Sequence, residues 1–121
     1  MLSHAVADAL LGAAGLGDLG SRFPDDDRWA GASSLSILEE TATLVASEGF
    51  LIEHVDASVV AQTPRLAPFR DLMRERVAEA LGISVAEVSI KATTTDGLGF
   101  TGRAEGIAAL AVASIERAAR A

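Results

Sequence analysis

Cysteine is absent from this chain, which excludes a disulfide framework and any thiolate metal site or nucleophile. Basic side chains are scarce: 10 against 17 carboxylates leave a net charge of -7. That is the wrong sign for a surface that tracks a phosphate backbone, so DNA and RNA are not expected as partners. Long apolar runs are missing too, since nothing approaches the roughly 20 residues that span a bilayer. The apolar N-terminal stretch is broken by Asp8 and Asp18, and no basic region precedes it. It therefore reads as a helix of the mature protein and not as a secretory signal. A soluble, cytoplasmic chain with no membrane partner is the expectation. What is plentiful is alanine, leucine and valine: 50% of the 121 residues are hydrophobic. That suits a single domain, 1–121, built around one core.

Helical and strand periods alternate along the chain without repeats or low-complexity segments, which points to an α/β or α+β architecture. From Ser3 to about Leu16 the residues are apolar on nearly every face, as in a helix covered on several sides. The stretch "GDLGSRFPDDDRWAG" breaks the period with Gly17, Gly20, Pro24 and three aspartates, and reads as a functional loop. Ser34, Ile37, Leu38, Thr41, Leu44 and Val45 outline a second helix that ends at Gly49. "HVDASVVAQ" alternates as a strand. A third helix runs from Pro68, with Phe69, Leu72, Met73, Val77, Ala80 and Leu81 on its apolar face. "EVSIKATT" is a second strand. The spacing of Ile107, Leu110, Ala111, Ser114 and Ile115 predicts a closing helix, with Arg117 and Arg120 near its C-terminal end. Two strands are too few to pack four helices, so either the sheet is completed elsewhere or strands are missing.

One stretch departs from the general composition. "KATTTDGLGFTGRAEG", residues 91–106, gathers four threonines, three of them in a row, with an aspartate and four glycines. A strand that ends in hydroxyls and enters a helix through glycines offers donors and close backbone approach at the carboxyl end of a sheet. Arg103 can take a phosphate in bidentate fashion, and Asp96 can share a divalent cation with it. The same residues are also compatible with a glycine-rich structural turn.

Four segments taken in order, "HAVADALLGAAGLGDLG", "FPDDD", "AQTPRL" and "KATTTDGLGFTGRAEG", closely resemble the 2-C-methyl-D-erythritol 2,4-cyclodiphosphate synthase family of the non-mevalonate isoprenoid pathway. The resemblance covers essentially the whole chain and is strongest in the threonine and glycine stretch. It implies a lyase that closes a ring: the 2-phosphate of 4-diphosphocytidyl-2-C-methyl-D-erythritol 2-phosphate attacks its own β-phosphorus, and CMP leaves. It further implies a homotrimer with sites between subunits, zinc, and a second magnesium or manganese ion.

By the same resemblance His4 is a zinc ligand, a role that suits a neutral imidazole. Asp8, one turn on, either orients His4 or makes a polar contact of its own. Asp18, Leu19 and Gly20, then Phe23, Pro24, Asp25, Asp26 and Asp27, match segments that hold the methylerythritol phosphate end. Ala61, Gln62, Thr63, Pro64, Arg65, Leu66 and Ala67 match the loop that meets the cytidine diphosphate half. Arg65 stands where many members carry lysine, and the two cations differ in geometry. Thr93, Thr94, Thr95 and Asp96 match the diphosphate segment. Thr94 there takes the place of the threonine that stabilises the transition state, and Asp96 that of the second-metal ligand, one methylene shorter than the glutamate of many members. Phe100 and Arg103 match further substrate contacts, and Glu105 looks like a loop-fastening acid. His54 matches no family role and reads as an exposed side chain. A phosphate nucleophile needs positioning and charge neutralisation but no general base, which agrees with the lack of a Ser/His/Asp arrangement.

At its front the chain departs from the family, whose members carry a further stretch with an Asp-x-His pair of zinc ligands, a His-Ser pair and the first strands. Met1 falls inside the usual motif, so an N-terminally truncated chain with those strands missing is expected. Two readings follow: an isoprenoid-pathway cyclase, or a shortened, inactive nucleotide-phosphate-binding or trimer-forming subunit.

Overall fold

In a computed structural model, residues 1–23, 33–63 and 65–119 are described. Helix α1 (Leu2–Ala13) is followed by a single-turn helix α2 (Leu19–Arg22) and by α3 (Ser34–Ser47). Strand β1 (Phe50–Val60) leads through a 3-10 turn, Ala67–Phe69, into α4 (Arg70–Leu81). A second 3-10 turn, Val85–Glu87, opens strand β2 (Val88–Thr93). The short helix α5 (Gly99–Gly102) then precedes strand β3 (Ala108–Arg117).

The three strands form one mixed sheet in the order β2-β1-β3. Strand β1 runs parallel to β2, pairing Val55 with Val88 and Val60 with Thr93. It runs antiparallel to β3, pairing Val55 with Ala113 and Val59 with Ala109. The longer helices lie across the strands in matching order, α1 against β3, α3 against β1 and α4 against β2. The core lies between the layers and includes Val6, Leu10, Leu11, Leu38, Val45, Val55 and Val88, all fully buried. Burying each such side chain contributes about 1.5–3 kcal/mol.

Local chemistry sets the boundaries. The Ser33 hydroxyl caps α3 by accepting the Ser36 amide at 3.1 Å, which satisfies a donor that a helix start leaves unpaired. Gly82 ends α4 in the left-handed conformation, φ 70°, where a Cβ would be penalised. Arg74 ties α4 to the entry of β2: its Nε donates to Val88 O at 2.8 Å and its Nη2 to Val85 O at 3.0 Å.

The expected architecture of helices on a small mixed sheet is the observed one, but the closing helix is not: residues 108–117 form β3. Alanine satisfies either period, so the spacing at 107, 110, 111, 114 and 115 also hid a period of two. Ala109, Ala111, Ala113 and Ile115 turn inward, whereas Leu110, Val112, Ser114 and Glu116 are exposed. Small alanines let α1 approach the sheet, and this packing overrides alanine's helical preference. The third strand also supplies part of the sheet that two strands left short. Arg117 ends β3 with its guanidinium 5.0 Å from the centre of the Phe50 ring, and Arg120 lies outside the described residues.

Two smaller expectations change. Part of the loop after α1 is the helix α2, capped by Asp18. Phe69 and Leu72, expected on the apolar face of α4, are about half exposed, because Val77, Ala78 and Leu81 carry its burial.

The sheet face away from the helices is polar in its centre and apolar along β3. Lys91 pairs with Asp56 at 2.9 Å. His54, half-buried and not simply exposed as expected, shares a hydrogen bond with Ser89 Oγ at 3.2 Å. Leu110 and Val112 stand 64% and 71% exposed.

Candidate functional site

The parallel strands β1 and β2 end side by side, and the ladder is prolonged by one bond from the Ala61 amide to Thr93 O at 3.0 Å. Beyond it the chains part, and the carboxyl ends of two parallel strands form a crevice, a usual ligand position in α/β proteins. A cavity of about 230 Å³ opens there, lined by Val59, Ala61, Gln62, Arg65, Leu66, Ala67, Ala92, Thr93 and Thr94. Its floor is apolar, and its rim carries a guanidinium, a carboxamide and two hydroxyls. That combination suits a flat ring with an attached phosphate.

The threonine and glycine stretch folds into a compact loop. The Asp96 amide donates to Thr94 Oγ1 at 3.0 Å, and the Thr94 hydroxyl donates to Asp96 Oδ1 at 3.2 Å. Thr95 donates to Leu98 O, and its oxygen lies 3.0 Å from the buried Thr101 hydroxyl. Asp96 itself is left-handed at φ 54°, followed by Gly97 at φ 83°. An aspartate in that region persists where its surroundings hold it. Gly102 packs so closely that a Cβ there would lie 2.7 Å from Gly97 Cα. The Gly97 amide also donates to Gln62 Oε1 at 3.2 Å.

Of the sequence candidates, the structure brings Ala61, Gln62, Arg65, Leu66, Ala67, Thr93 and Thr94 together around the cavity. Asp96 adjoins them through Thr94. Arg103 is not among the residues lining it. Arg103 instead meets Glu105 in a two-point ion pair, Nε to Oε1 at 2.8 Å and Nη2 to Oε2 at 3.2 Å. Phe100 is exposed beside Gly106. Phe23 is buried in the core. His4 is exposed on α1, while Asp18 and Asp8 border a separate open groove between α1 and β3. Asp8 makes a contact of its own: its carboxylate accepts the Leu19 amide at 2.7 Å. Pro24, Asp25, Asp26, Asp27 and Pro64 lie outside the described residues.

Asp18 caps α2, and its carboxyl is held below its usual 3.8. The Ser21 amide is the main cause and the Ser21 hydroxyl the next, slightly opposed by desolvation. Among the described residues no three His, Asp or Glu side chains gather as a metal site would require. His4 and Asp96 each offer a single donor, so one chain's described residues do not by themselves fit a closed zinc or magnesium shell. No helix among them is long and apolar enough to cross a membrane.

Helices on one face of a small mixed sheet, with a hydroxyl and glycine loop closing a crevice at the strand ends, define an α/β domain that carries its ligand site at the carboxyl ends of parallel strands. The chain belongs to the YgbB family, whose model matches residues 1–116. It is 51% identical over 116 residues to the 2-C-methyl-D-erythritol 2,4-cyclodiphosphate synthase of Alkaliphilus metalliredigens (strain QYMF), covering 95% of this chain and 73% of that protein. Its fold matches the bifunctional IspDF of Campylobacter jejuni with a TM-score of 0.91 at 39% identity, over 96% of this chain and 32% of that one. It also matches the CDP complex of Plasmodium falciparum IspF with a TM-score of 0.85 at 26% identity, over 97% of this chain and 70% of that one.

Sequence reasoning missed the links that hold the site together: Gln62 to Gly97, Asp8 to Leu19, and the packing of Gly102 on Gly97. Only the last had a visible signal, the paired glycines of "DGLGFTG".

Proposed function

We propose that this protein is a cyclase of the phosphorus-oxygen lyase type. In this reading it converts 4-diphosphocytidyl-2-C-methyl-D-erythritol 2-phosphate to 2-C-methyl-D-erythritol 2,4-cyclodiphosphate and releases CMP. The observation that carries the reading is the cavity where Arg65, Thr93 and Thr94 meet the Ala61 to Ala67 loop. The likeness to relatives that bear this enzyme's name supports it, as does the likeness to a solved complex with CDP. The cytidine ring takes the apolar floor, and the diphosphate lies along Thr93 to Asp96.

The chemistry is an internal displacement. An oxygen of the 2-phosphate forms a bond to the β-phosphorus while the bond from that phosphorus to the CMP oxygen breaks, and CMP carries away the electron pair. The protein supplies alignment and fixed donors. Arg65 meets phosphate charge at the rim. The Thr94 oxygen is anchored by the Asp96 amide, which leaves its proton to turn from Asp96 toward a phosphoryl oxygen. Arg103, Phe100 and the Asp18 to Asp27 segment are proposed as further substrate contacts completed between subunits of a homotrimer, for which the exposed Leu110 and Val112 on the open sheet face provide apolar contact. Two divalent cations are proposed as well, zinc toward His4 and magnesium or manganese toward Asp96, with further ligands from beyond the described residues of one chain.

The test is direct. The protein is incubated with the diphosphocytidyl substrate, zinc and either magnesium or manganese. CMP is followed by chromatography and the cyclic diphosphate by phosphorus NMR. Equal amounts of both products are expected, and an intact substrate after prolonged incubation rules the proposal out.

A further inference from the structure

We propose that Gln62 is a positioning residue. Its amide oxygen holds the threonine and glycine loop against the end of β1, and so fixes Thr94 at the cavity. The inference rests on the reading of this cavity as the nucleotide diphosphate site, and it adds the means by which the site keeps its shape.

Three observations carry it. The last backbone bond between the strands joins the Ala61 amide to Thr93 O, and the 3.2 Å bond from the Gly97 amide to Gln62 Oε1 carries that pairing one step further, across 35 residues of sequence. The segment it restrains contains Asp96 in the left-handed region next to Gly97, a conformation that is costly for a non-glycine residue unless the surroundings impose it. Gly102 packs closely on the Gly97 backbone, and Gln62 holds the Gly97 amide. Thr94 and Asp96 are hydrogen-bonded to each other within this clamp, so a shift of Gly97 is passed to the hydroxyl at the cavity. The clamp uses only an acceptor oxygen at glutamine's reach. Leucine matches the volume without an acceptor, asparagine falls one methylene short, and glutamate keeps both oxygen and reach.

The experiment reads the clamp in two ways, by amide hydrogen exchange at Gly97 and by steady-state CMP release. Gln62→Leu and Gln62→Asn are each expected to speed Gly97 exchange about tenfold or more. Both should lower kcat by on the order of ten- to a hundredfold, with KM within about twofold, as misplacement of roughly an ångström does. Gln62→Glu is expected to keep Gly97 protected. A raised KM with unchanged kcat in both Leu and Asn variants would overturn the proposal, because Gln62 would then only contact substrate. So would Gly97 exchange that stays as slow as in the parent protein. If the protein releases no CMP at all, the functional reading fails, while faster exchange in Gln62→Leu and its restoration in Gln62→Glu still support the clamp, and their absence still defeats it.

Discussion

Replacing Gly102 by alanine should damage both the stability and the turnover of this protein. A Cβ on Gly102 would run first into Gly97 C, with Gly97 Cα at 2.7 Å and Gly97 O at 2.8 Å, where ordinary contact begins at 3.4 Å. All three opposing atoms are backbone, so no flexible side chain can swing aside. One of the two segments must retreat by about an ångström or more, and overpacking of this kind costs about 1–3 kcal/mol. Movement of Gly97 carries Asp96 and Thr94 with it through the chain and the Thr94 to Asp96 bonds. A displacement near an ångström at a positioning residue lowers turnover on the order of a hundredfold. Urea unfolding gives the first quantity and CMP release the second. A suitable control is Gly12→Ala, because Gly12 sits in α1 with nothing within 4 Å of its added Cβ. There alanine should raise stability by about 0.5–1 kcal/mol and leave turnover alone. The reasoning is refuted if Gly102→Ala unfolds within about 0.5 kcal/mol of the parent and turns over at a similar rate, since surface changes of no consequence fall in that range.

Other perturbations should act through the core, the staple and the cap. Leu38→Ala removes a fully buried side chain and should lower unfolding free energy in urea by about 2–5 kcal/mol. Arg74→Ala loses the bonds to Val88 O and Val85 O, at about 1–3 kcal/mol by the same measurement, and Arg74→Lys, lacking the forked geometry, should restore little. Asp18 has a folded pKa below its ordinary 3.8, so its contribution is present above 3.8 and is lost as pH falls through the lowered value. An NMR titration should place its midpoint below that of an exposed aspartate, and Asp18→Asn should flatten the acid limb of the stability profile.

Much of this fold was legible because most of its elements carry unambiguous signals. Gly49 and Gly82 mark helix ends, and Val55, Ala57 and Val59 alternate cleanly along β1. The segment 108–117 was not legible, because alanine at 108, 109, 111 and 113 fits both periods and only the approach of α1 selects the strand. The loop after β2 could be recognised by its threonines and glycines, and Thr93 and Thr94 do line the cavity. How that loop is held could not be read. The Gln62 to Gly97 bond joins residues 35 apart, and no local pattern encodes a contact between the ends of two strands. Arg103 illustrates the same limit: its charge is plain in the sequence, whereas its engagement by Glu105 emerges from the fold of the turn.

The crevice between the ends of β1 and β2 is expected to receive cytidine diphosphate. Titrating the isotope-labelled protein with CDP and following its amide resonances decides this. Saturable shifts are predicted at Ala61, Gln62, Arg65, Leu66, Ala67 and Thr94. Resonances there that do not move, or shifts confined to the groove between α1 and β3, would contradict it.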